Sequence, residues 1–457
     1  MVAKNESLGN SQYFAKFLSD TLWEDIPSNI RHEAKRSILN FFACSLGGCQ
    51  DDVVGNLTAA LRPFSGQRVA TVIGRQEKID PLNAAFLNAV SANVFDFDDT
   101  HTPTIIHPTA PVAPALFAFA ETTRISGAQL LLSFILGVEA ECRIGNAVSP
   151  GHYRKGWHIT STCGVFGAAI AIGKIIGLSA ERMIWALGNA SAQSGGLLET
   201  LGTMAKSISV GNASRNGYLA ALYAQQGVSG PESPLEGSYG FFNVLGINAK
   251  SPCIINKLGE HWELISNTYK PYPCGVVLNP VIEACLSLAN NEHMSLANID
   301  RIVVTGNPLL RERTDRIEPH SGREAQVSLQ HCVAVVLSNK KAGLAEFSDA
   351  CTIDPTLKLL REKVFIVDDD NYVIESALVT IYFQGGKILT QKTEEARGSF
   401  NNPLSDADLE KKLSDLVYFS NTSCDKELLI DAIWSLEKVS DAGKVIALAA
   451  GNKEQKI

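Results

Sequence analysis

Residues 160–173 have the sequence TSTCGVFGAAIAIG, and they indicate how most of the chain is built. Small side chains recur on closely spaced turns of this segment, at Gly164, Gly167, Ala168 and Ala171. Small residues let helix backbones approach each other closely, so neighbours can pack against every side of such a helix. The segment therefore predicts a central helix that is packed on all sides.

Apolar residues at helical spacing continue on both sides of this segment. We predict helices at 28–46, 81–95, 127–148, 180–191 and 211–226. Stop and start signals fit these limits, because Gly47-Gly48 follows the first helix and Pro81 opens the second. The first half of the chain is therefore predicted to be helical.

The pattern changes near residue 268. Strand-like patterns occupy 299–306, 364–367, 376–383 and 387–393, with a helix at 325–339 between them. Gly385-Gly386 is a hairpin signal between the last two strands. Helical spacing returns after Pro403. We therefore predict a mainly α protein with an α+β part: a large all-helical domain, split in sequence into 1–267 and 402–457, and an inserted smaller α+β domain at 268–401.

Charge and composition exclude several classes of protein. Acidic residues number 48 and basic residues 40, a net charge of −8 that argues against a nucleic-acid partner. The most apolar window, 163–178, contains Lys174 and is too short to cross a bilayer. No leader pattern opens the sequence, and none of the ten cysteines forms a Cys-x-x-Cys pair. We expect a cytoplasmic protein with no membrane partner and reduced thiols.

The densest polar cluster is Asp96-Phe97-Asp98-Asp99-Thr100-His101, with His107 shortly after it. It follows an apolar helix, and carboxylates at a helix C-terminus oppose the helix dipole. A sequence that accepts this local cost often does so for function. One alternative is a solvated acidic helix end. Another is a metal site formed by Asp98, Asp99, His101 and His107, although no compact ligand pair supports it.

Three further clusters contain candidate site residues, His158, Lys206 and Lys270. His158 precedes the predicted central helix, whose N-terminus suits a carboxylate, although it could equally be a structural capping residue. Lys206 lies in an uncharged stretch and is either a snorkelling side chain or a buried cation with a purpose. Lys270 lies between Tyr269 and two prolines, in a segment that either lines an interdomain cleft or is a stiff linker.

Taken in order, these segments resemble the signatures of the MmgE/PrpD family, and the resemblance covers nearly the whole chain. The matching segments are 96–100, 151–158, Lys206 with Gly211-Asn212-Ala213, and Lys270-Pro271-Tyr272-Pro273-Cys274. The resemblance implies a large helical domain with an inserted α+β lid and a homodimer. It also implies a small polycarboxylate substrate and no metal or organic cofactor.

The resemblance to decarboxylase-like members also implies which residues act. The implied catalytic residues are Asp96, His107, Lys206 and His158, and the implied substrate-binding residues are Thr100 and Lys270. We also assign His331 to substrate binding, although it departs from the family pattern. Breaking a bond next to a carboxylate develops negative charge on an enediolate-like intermediate. We assign the stabilisation of this charge to Lys206. His158 and Lys270 would hold other carboxylates, and Thr100 would hydrogen-bond substrate. His107 would move the proton, with Asp96 orienting it or acting as the base itself.

Two departures from the family pattern leave the reaction open. This chain has His331 where decarboxylase-like members have tyrosine, and Asn279 where many members have histidine. The first interpretation is a lyase that decarboxylates or dehydrates an aconitate- or 2-methylcitrate-like acid. The second is an epimerase of a substituted succinate such as iminodisuccinate. The third is a non-catalytic homologue that binds carboxylates.

Overall fold

A computed structural model of the chain describes residues 9–451. Within that range the residues form two compact units. The first contains residues 9–94, 98–267 and 406–451, and the second contains residues 95–97 and 268–405. The units differ from the predicted domain boundaries in residues 95–97 and 402–405.

Helices dominate the first unit. From the N-terminus they are α1 Asn10–Asp20, α2 Ser28–Gly48, α3 Asp52–Leu61, α4 Pro81–Asn93, α5 Thr109–Ala120, α6 Gly127–Val148, α7 Gly151–Arg154, α8 Ile159–Ile175, α9 Ala180–Ser191, α10 Lys206–Gln225 and α11 Phe241–Leu245. The short strands are β1 Ala70–Thr71, β2 Lys78–Ile79, β3 Thr100–His101 and β4 Asn267–Thr268, the last of which ends in the second unit. β1 and β2 pair antiparallel, so the prediction of a purely helical domain was wrong at this ladder.

The predicted central helix is confirmed as α8. All of its residues from Ile159 to Gly173 are buried, and it packs against α5, α6, α9 and α10. Glycine allows this close packing, because a Cβ on Gly164 would lie 2.6 Å from Pro111 of α5. A Cβ on Gly217 of α10 would lie 2.5 Å from Ala168. Small residues on both partners thus bring the helices of this core together.

The second unit packs helices against a four-stranded sheet. Its helices are α12 Asn279–Ala289, α13 Pro308–Thr314, α14 Gly322–Ala325, α15 Leu329–Asn339, α16 Asp349–Thr352 and α17 Pro355–Arg361. Its strands are β5 Ile299–Gly306, β6 Val364–Asp368, β7 Ala377–Phe383 and β8 Ile388–Thr393, in the order β6-β5-β7-β8. β5 is parallel to β6, whereas β5–β7 and β7–β8 are antiparallel.

The predicted mainly α and α+β class is confirmed, with local shifts at element ends. The helix predicted from 325 begins at Leu329, because the Ser328 side chain accepts the His331 N–H and caps it there. The β7–β8 hairpin turns through Gly385 and Gly386 at φ values of 89° and 87°, a conformation that favours glycine. The chain then returns to the first unit with α18 Asp406–Ser420, α19 Lys426–Trp434 and α20 Gly443–Leu448.

No helix within residues 9–451 is long and apolar enough to cross a membrane.

Candidate active site

His107 of the first unit is held through its Nδ1 atom. This nitrogen lies 2.7 Å from the backbone carbonyl oxygen of Asp99. A carbonyl oxygen can only accept, so Nδ1 carries the proton and Nε2 is the basic nitrogen of the neutral ring. The carboxylate of Asp98 and the hydroxyl of Thr100 each lie 3.4 Å from the same Nδ1 atom. The ring is therefore oriented by the Asp-Asp-Thr segment that precedes it.

The carboxyl groups of this segment are fixed by their own partners. Asp98, just beyond the end of α4, accepts a hydrogen bond of 2.7 Å from Asn93. Asp99 accepts from the hydroxyl of Thr109, at the start of α5, and from the amide of Asn267 at 2.6 Å. Burial raises the pKa of Asp99 to about 7, against the opposing effect of these two hydrogen bonds. Asp99 is thus a buried group on the border between neutral and charged.

His158 lies at the N-terminus of α8, as predicted. Its Nδ1 atom is 3.2 Å from the hydroxyl oxygens of both Ser161 and Ser209. Each of these hydroxyls donates its own proton to a carbonyl at 2.9 Å, those of His158 and Lys206 respectively. Both oxygens therefore accept from the imidazole, which places a proton on Nδ1. At the end of a long helix, such a ring adds to a site that favours anions.

A single hydroxyl joins His107 to this helix end. The backbone N–H of His107 donates to the Thr160 side chain at 3.1 Å. Thr160 is in the first turn of α8, two residues after His158. The two histidines predicted as catalytic are therefore anchored to the same helix terminus.

Lys206 is buried and is the first residue of α10. The N-terminal end of a helix carries partial positive charge, so a buried cation there is unfavourable unless an anion balances it. Its neighbour Ser207 donates to Asn93 at 3.2 Å, which ties the start of α10 to the end of α4. Lys206 therefore places a buried positive charge at the start of α10.

Within the second unit, the buried Lys270 pairs with the partly exposed Asp96. The Lys270 Nζ atom donates to the Asp96 carbonyl at 2.7 Å and to its carboxylate at 2.8 Å. Gln326 donates to the Phe95 carbonyl at 2.7 Å and so fixes the same segment. Asp96 has a φ of 52°, in the left-handed region that aspartate tolerates better than most residues.

His331 is fully buried in α15 of the second unit, and the protein itself engages both ring nitrogens. Nε2 donates to the Glu346 carbonyl at 2.9 Å, and Nδ1 lies 3.3 Å from the Arg361 guanidinium. These contacts are typical of a structural histidine, and its predicted role in substrate binding stays a prediction. Asn279, the other departure, is buried at the start of α12, with the Cys274 sulfur 3.9 Å from its side-chain oxygen.

Comparisons with known proteins agree with this two-part organisation. The model of the MmgE/PrpD N-terminal domain matches residues 12–252, and that of the MmgE/PrpD C-terminal domain matches residues 272–437. The chain belongs to the MmgE/PrpD family.

Curated relatives of this MmgE/PrpD chain have one activity in their names. A cis-aconitate decarboxylase of Aspergillus terreus is 28% identical over 97% of this chain and 96% of its own length. The human cis-aconitate decarboxylase is 26% identical over 93% of this chain and 91% of its own length. The mouse protein of the same name is 26% identical over 97% and 94% of the two lengths.

The structure of this family member brings together three of the predicted residues in the first unit. These are His107, Thr100, whose hydroxyl lies near the His107 ring, and His158, at the helix end to which His107 is bonded. Asp98 was not predicted to orient His107, although it stands in the cluster that the sequence singled out. Sequence spacing could not identify which of three nearby carboxylates faces the imidazole. Ser209 was also missed, because its only signal is the hydroxyl-rich stretch around Lys206.

Asp98 and His107 are ligand types that metal ions also use. Here the Nδ1 atom that faces Asp98 carries a proton donated to the Asp99 carbonyl. That nitrogen is therefore occupied as a hydrogen-bond donor in the present arrangement. The expected absence of a metal stays a prediction, which a chelator tests.

Proposed function

We propose that this chain is a lyase that decarboxylates an unsaturated tricarboxylate of the cis-aconitate type. The activity in the names of its relatives supports this substrate class. The observation that carries the proposal is the hydrogen bond from His107 Nδ1 to the Asp99 carbonyl, with the Asp98 carboxylate alongside. This arrangement makes Nε2 the proton-transferring atom, and the carboxylate stabilises the imidazolium that must form before a proton is delivered.

The reaction requires one bond to break and one proton to be taken up. The bond between a saturated carbon and its carboxylate breaks, and carbon dioxide leaves. The electron pair forms a new double bond while the original double bond shifts. Negative charge then develops on the carbon next to another carboxylate, and that carbon takes the proton from His107 Nε2. The product is an unsaturated dicarboxylate.

Cations of the first unit would stabilise that charge. Lys206, at the start of α10, is assigned to the developing enediolate-like charge, where a preorganised cation contributes most. His158, which has backbone N–H groups of α8 beside it, is assigned to a substrate carboxylate. Thr100 is assigned a hydrogen bond to substrate. The roles of Lys270 and Asp96 of the second unit remain those implied by the family resemblance.

Proton NMR in deuterated water tests the proposal directly. The purified protein is incubated separately with cis-aconitate, trans-aconitate, 2-methylcitrate and iminodisuccinate. We expect cis-aconitate to give a new alkene signal with deuterium at the carbon that took the proton. Water loss from 2-methylcitrate would favour a dehydratase, and α-deuteration of an unchanged iminodisuccinate skeleton would favour an epimerase. No change in any acid would contradict the proposal and favour a binding protein.

We also propose that the active form is a cytoplasmic homodimer that needs no metal. Dialysis against a chelator should leave turnover unchanged, since protein cations supply the positive charge. A loss of activity that added divalent cation restores would contradict this. Light scattering at micromolar concentration should give twice the 49.2 kDa chain mass, and a monomer would contradict the proposed assembly.

A further inference from the structure

We propose that His101 is a positioning residue, which holds, through the Thr104 hydroxyl, the turn that presents His107. This inference rests on the proposed function of His107. A continuous series of contacts joins Glu263 to the backbone just before His107. The His101 Nε2 atom lies 3.2 Å from the Glu263 carboxylate, and its Nδ1 atom lies 2.8 Å from the Thr104 Oγ1 atom. The backbone N–H of Ile106 then donates to Thr104 Oγ1 at 3.3 Å.

The direction of each hydrogen bond follows from the chemistry. A carboxylate can only accept, so Nε2 of His101 is the donor to Glu263. In the neutral ring Nδ1 then accepts the hydroxyl proton of Thr104. The Thr104 oxygen in turn accepts from Ile106, the residue immediately before His107. A buried carboxylate therefore fixes, through two side chains, the backbone that carries the catalytic imidazole.

This turn needs such support because its backbone is strained. Ile105 has a φ of 59°, a left-handed conformation that is a genuine outlier for a β-branched side chain. A residue in a sparsely populated backbone region keeps that conformation only where its surroundings determine it. The His101 N–H donates to the Ile106 carbonyl at 2.8 Å and closes the turn. The hydrogen bonds from Glu263 through His101 and Thr104 to Ile106 then hold the turn from its side-chain side.

Glu263, the first residue of this series of hydrogen bonds, is itself held in place by α6. Glu263 also accepts a 2.9 Å bond from Asn146 of α6, and its backbone N–H donates to Glu139 of α6 at 2.8 Å. Arg143, also of α6, donates to Glu139 and to the carbonyl of His261 at 2.8 Å. Burial raises the pKa of Glu139. Burial also acts to raise the pKa of Glu263, but the hydrogen bond from His101 and the Arg143 charge outweigh it, so the pKa of Glu263 is lowered. A charged acceptor is thus retained beside His101.

The turn also rests directly on α6. Gly145 faces it, and a Cβ there would lie 2.5 Å from Ile106 and 3.1 Å from the Thr104 methyl group. The turn therefore has little room to shift against the helix. Removing the Thr104 hydroxyl while keeping its volume should loosen the backbone before His107 without opening a cavity.

The test compares two threonine-to-valine variants in the first unit. Thr104→Val removes the link between His101 and Ile106. Thr58→Val is the matched control, since this buried threonine donates to the Val54 carbonyl at 2.7 Å within α3. We measure kcat and KM for cis-aconitate. We also record long-range ¹H–¹⁵N correlations of protein labelled with ¹⁵N-histidine, in which His107→Gln identifies the His107 ring signals.

For Thr104→Val we expect a fall of about tenfold or more in kcat, with KM nearly unchanged, because small displacements of a catalytic group have large effects on rate. The His107 ring signals should also lose the pattern of a single Nδ1-protonated form. Thr58→Val should change neither measurement. His101→Asn should retain more activity than His101→Leu, because its amide can reach the position of Nδ1 and bond to Thr104.

Unchanged kcat and unchanged His107 ring signals in folded Thr104→Val would overturn the positioning role. If this variant does not fold, equal kcat values for folded His101→Asn and His101→Leu would overturn it instead. The NMR measurement separates this inference from the proposed function. Altered His107 signals in Thr104→Val, in a protein whose wild type turns over none of the acids, would support the turn's role and reject the lyase.

Discussion

As isolated residues, His107 of the first unit and His331 of the second unit are similar. Each is largely buried, and each donates one ring hydrogen bond to a backbone carbonyl. For His107 the donor is Nδ1 and the acceptor is Asp99, and for His331 the donor is Nε2 and the acceptor is Glu346. In both cases that bond fixes the tautomer and leaves the other nitrogen as the basic atom of the neutral ring.

The charges beside the two rings are opposite. The Asp98 carboxylate lies 3.4 Å from His107, and a nearby carboxylate stabilises an imidazolium. The Arg361 guanidinium lies 3.3 Å from the basic nitrogen of His331, where it stabilises the neutral ring. Burial lowers the pKa of His331, and the Arg361 charge lowers it further. Burial alone therefore does not identify a catalytic histidine, whereas the opposite charges beside the two rings support the different roles that we propose for them.

Replacing each histidine by glutamine tests this comparison and has the largest expected effect. His107→Gln should lower kcat by about two to four orders of magnitude, because general acid–base catalysis is lost. His331→Gln should leave kcat unchanged and lower the free energy of unfolding by about 1–3 kcal/mol, because a buried hydrogen-bond network is broken. Steady-state kinetics and urea denaturation measure the two quantities.

The same pair of variants can break the comparison. A large loss of kcat in a stable His331→Gln protein would place His331 in the site, as the sequence analysis predicted. Near wild-type activity in His107→Gln would remove His107 from the role of proton donor.

The fold was predictable from sequence because its signals are local. The small residues of α8 and the alternation in β5 and β7 each report on a face that must be buried, and the structure has these elements in the predicted places. Element ends were less accurate where a single side chain decides them. Ser328 ends the ambiguity at α15 by capping it, and helical periodicity contains no information about that bond.

The site was predictable as a set of segments but not as a set of contacts. The residues near 96–107 were identified because polar groups cluster there against the helix dipole. The backbone then turns through Asp96, at a φ of 52°, and Ile105, at 59°. These unusual angles decide where each neighbouring side chain points. Without them, the hydrogen bond from His107 to the Asp99 carbonyl and the role of Asp98 could not be derived from spacing.

Two lysines of the first unit, the buried Lys206 and the half-buried Lys174, extend the comparison to cations and have the next largest effect. Lys206→Met should lower kcat about a hundredfold to a thousandfold with little change in stability, as for the loss of one preorganised donor to a developing charge. Lys174 is the matched control, because its Nζ atom donates to the carbonyls of Ser19 and Thr21 at 2.6 and 2.7 Å. Lys174→Met should lower stability by about 1–3 kcal/mol and leave kcat unchanged.

Two outcomes of these lysine variants would contradict the expected contrast between Lys206 and Lys174. If Lys206→Met lowers the melting temperature as much as Lys174→Met and retains its turnover, Lys206 is a structural cation. If both variants lose turnover without loss of stability, the carbonyl contacts of Lys174 would not mark it as a structural lysine.

The smallest expected effect concerns two buried carboxyl groups of the first unit, Asp99 beside His107 and Glu139 on α6. Burial raises the pKa of both Asp99 and Glu139 to about 7 in the folded protein. In the unfolded chain such groups ionise near pH 4. Between these values the folded state binds more protons than the unfolded state. The contribution of these groups to stability is therefore complete below about pH 4 and is lost as the pH rises towards 7.

Asp99→Asn removes one of these two titrating groups. It therefore tests the carboxyl groups near His107, which are the counterpart of the arginine beside His331. From pH 5 to pH 7 the free energy of unfolding of this variant should fall by about 1–2 kcal/mol less than that of the wild type. Urea denaturation at half-unit pH steps measures the difference. Asp415→Asn, an exposed carboxyl paired with Lys411 at 2.8 Å on α18, should leave the wild-type slope unchanged. Equal slopes for all three proteins would mean that Asp99 is already ionised at pH 5, with its hydrogen bonds from Thr109 and Asn267 outweighing burial.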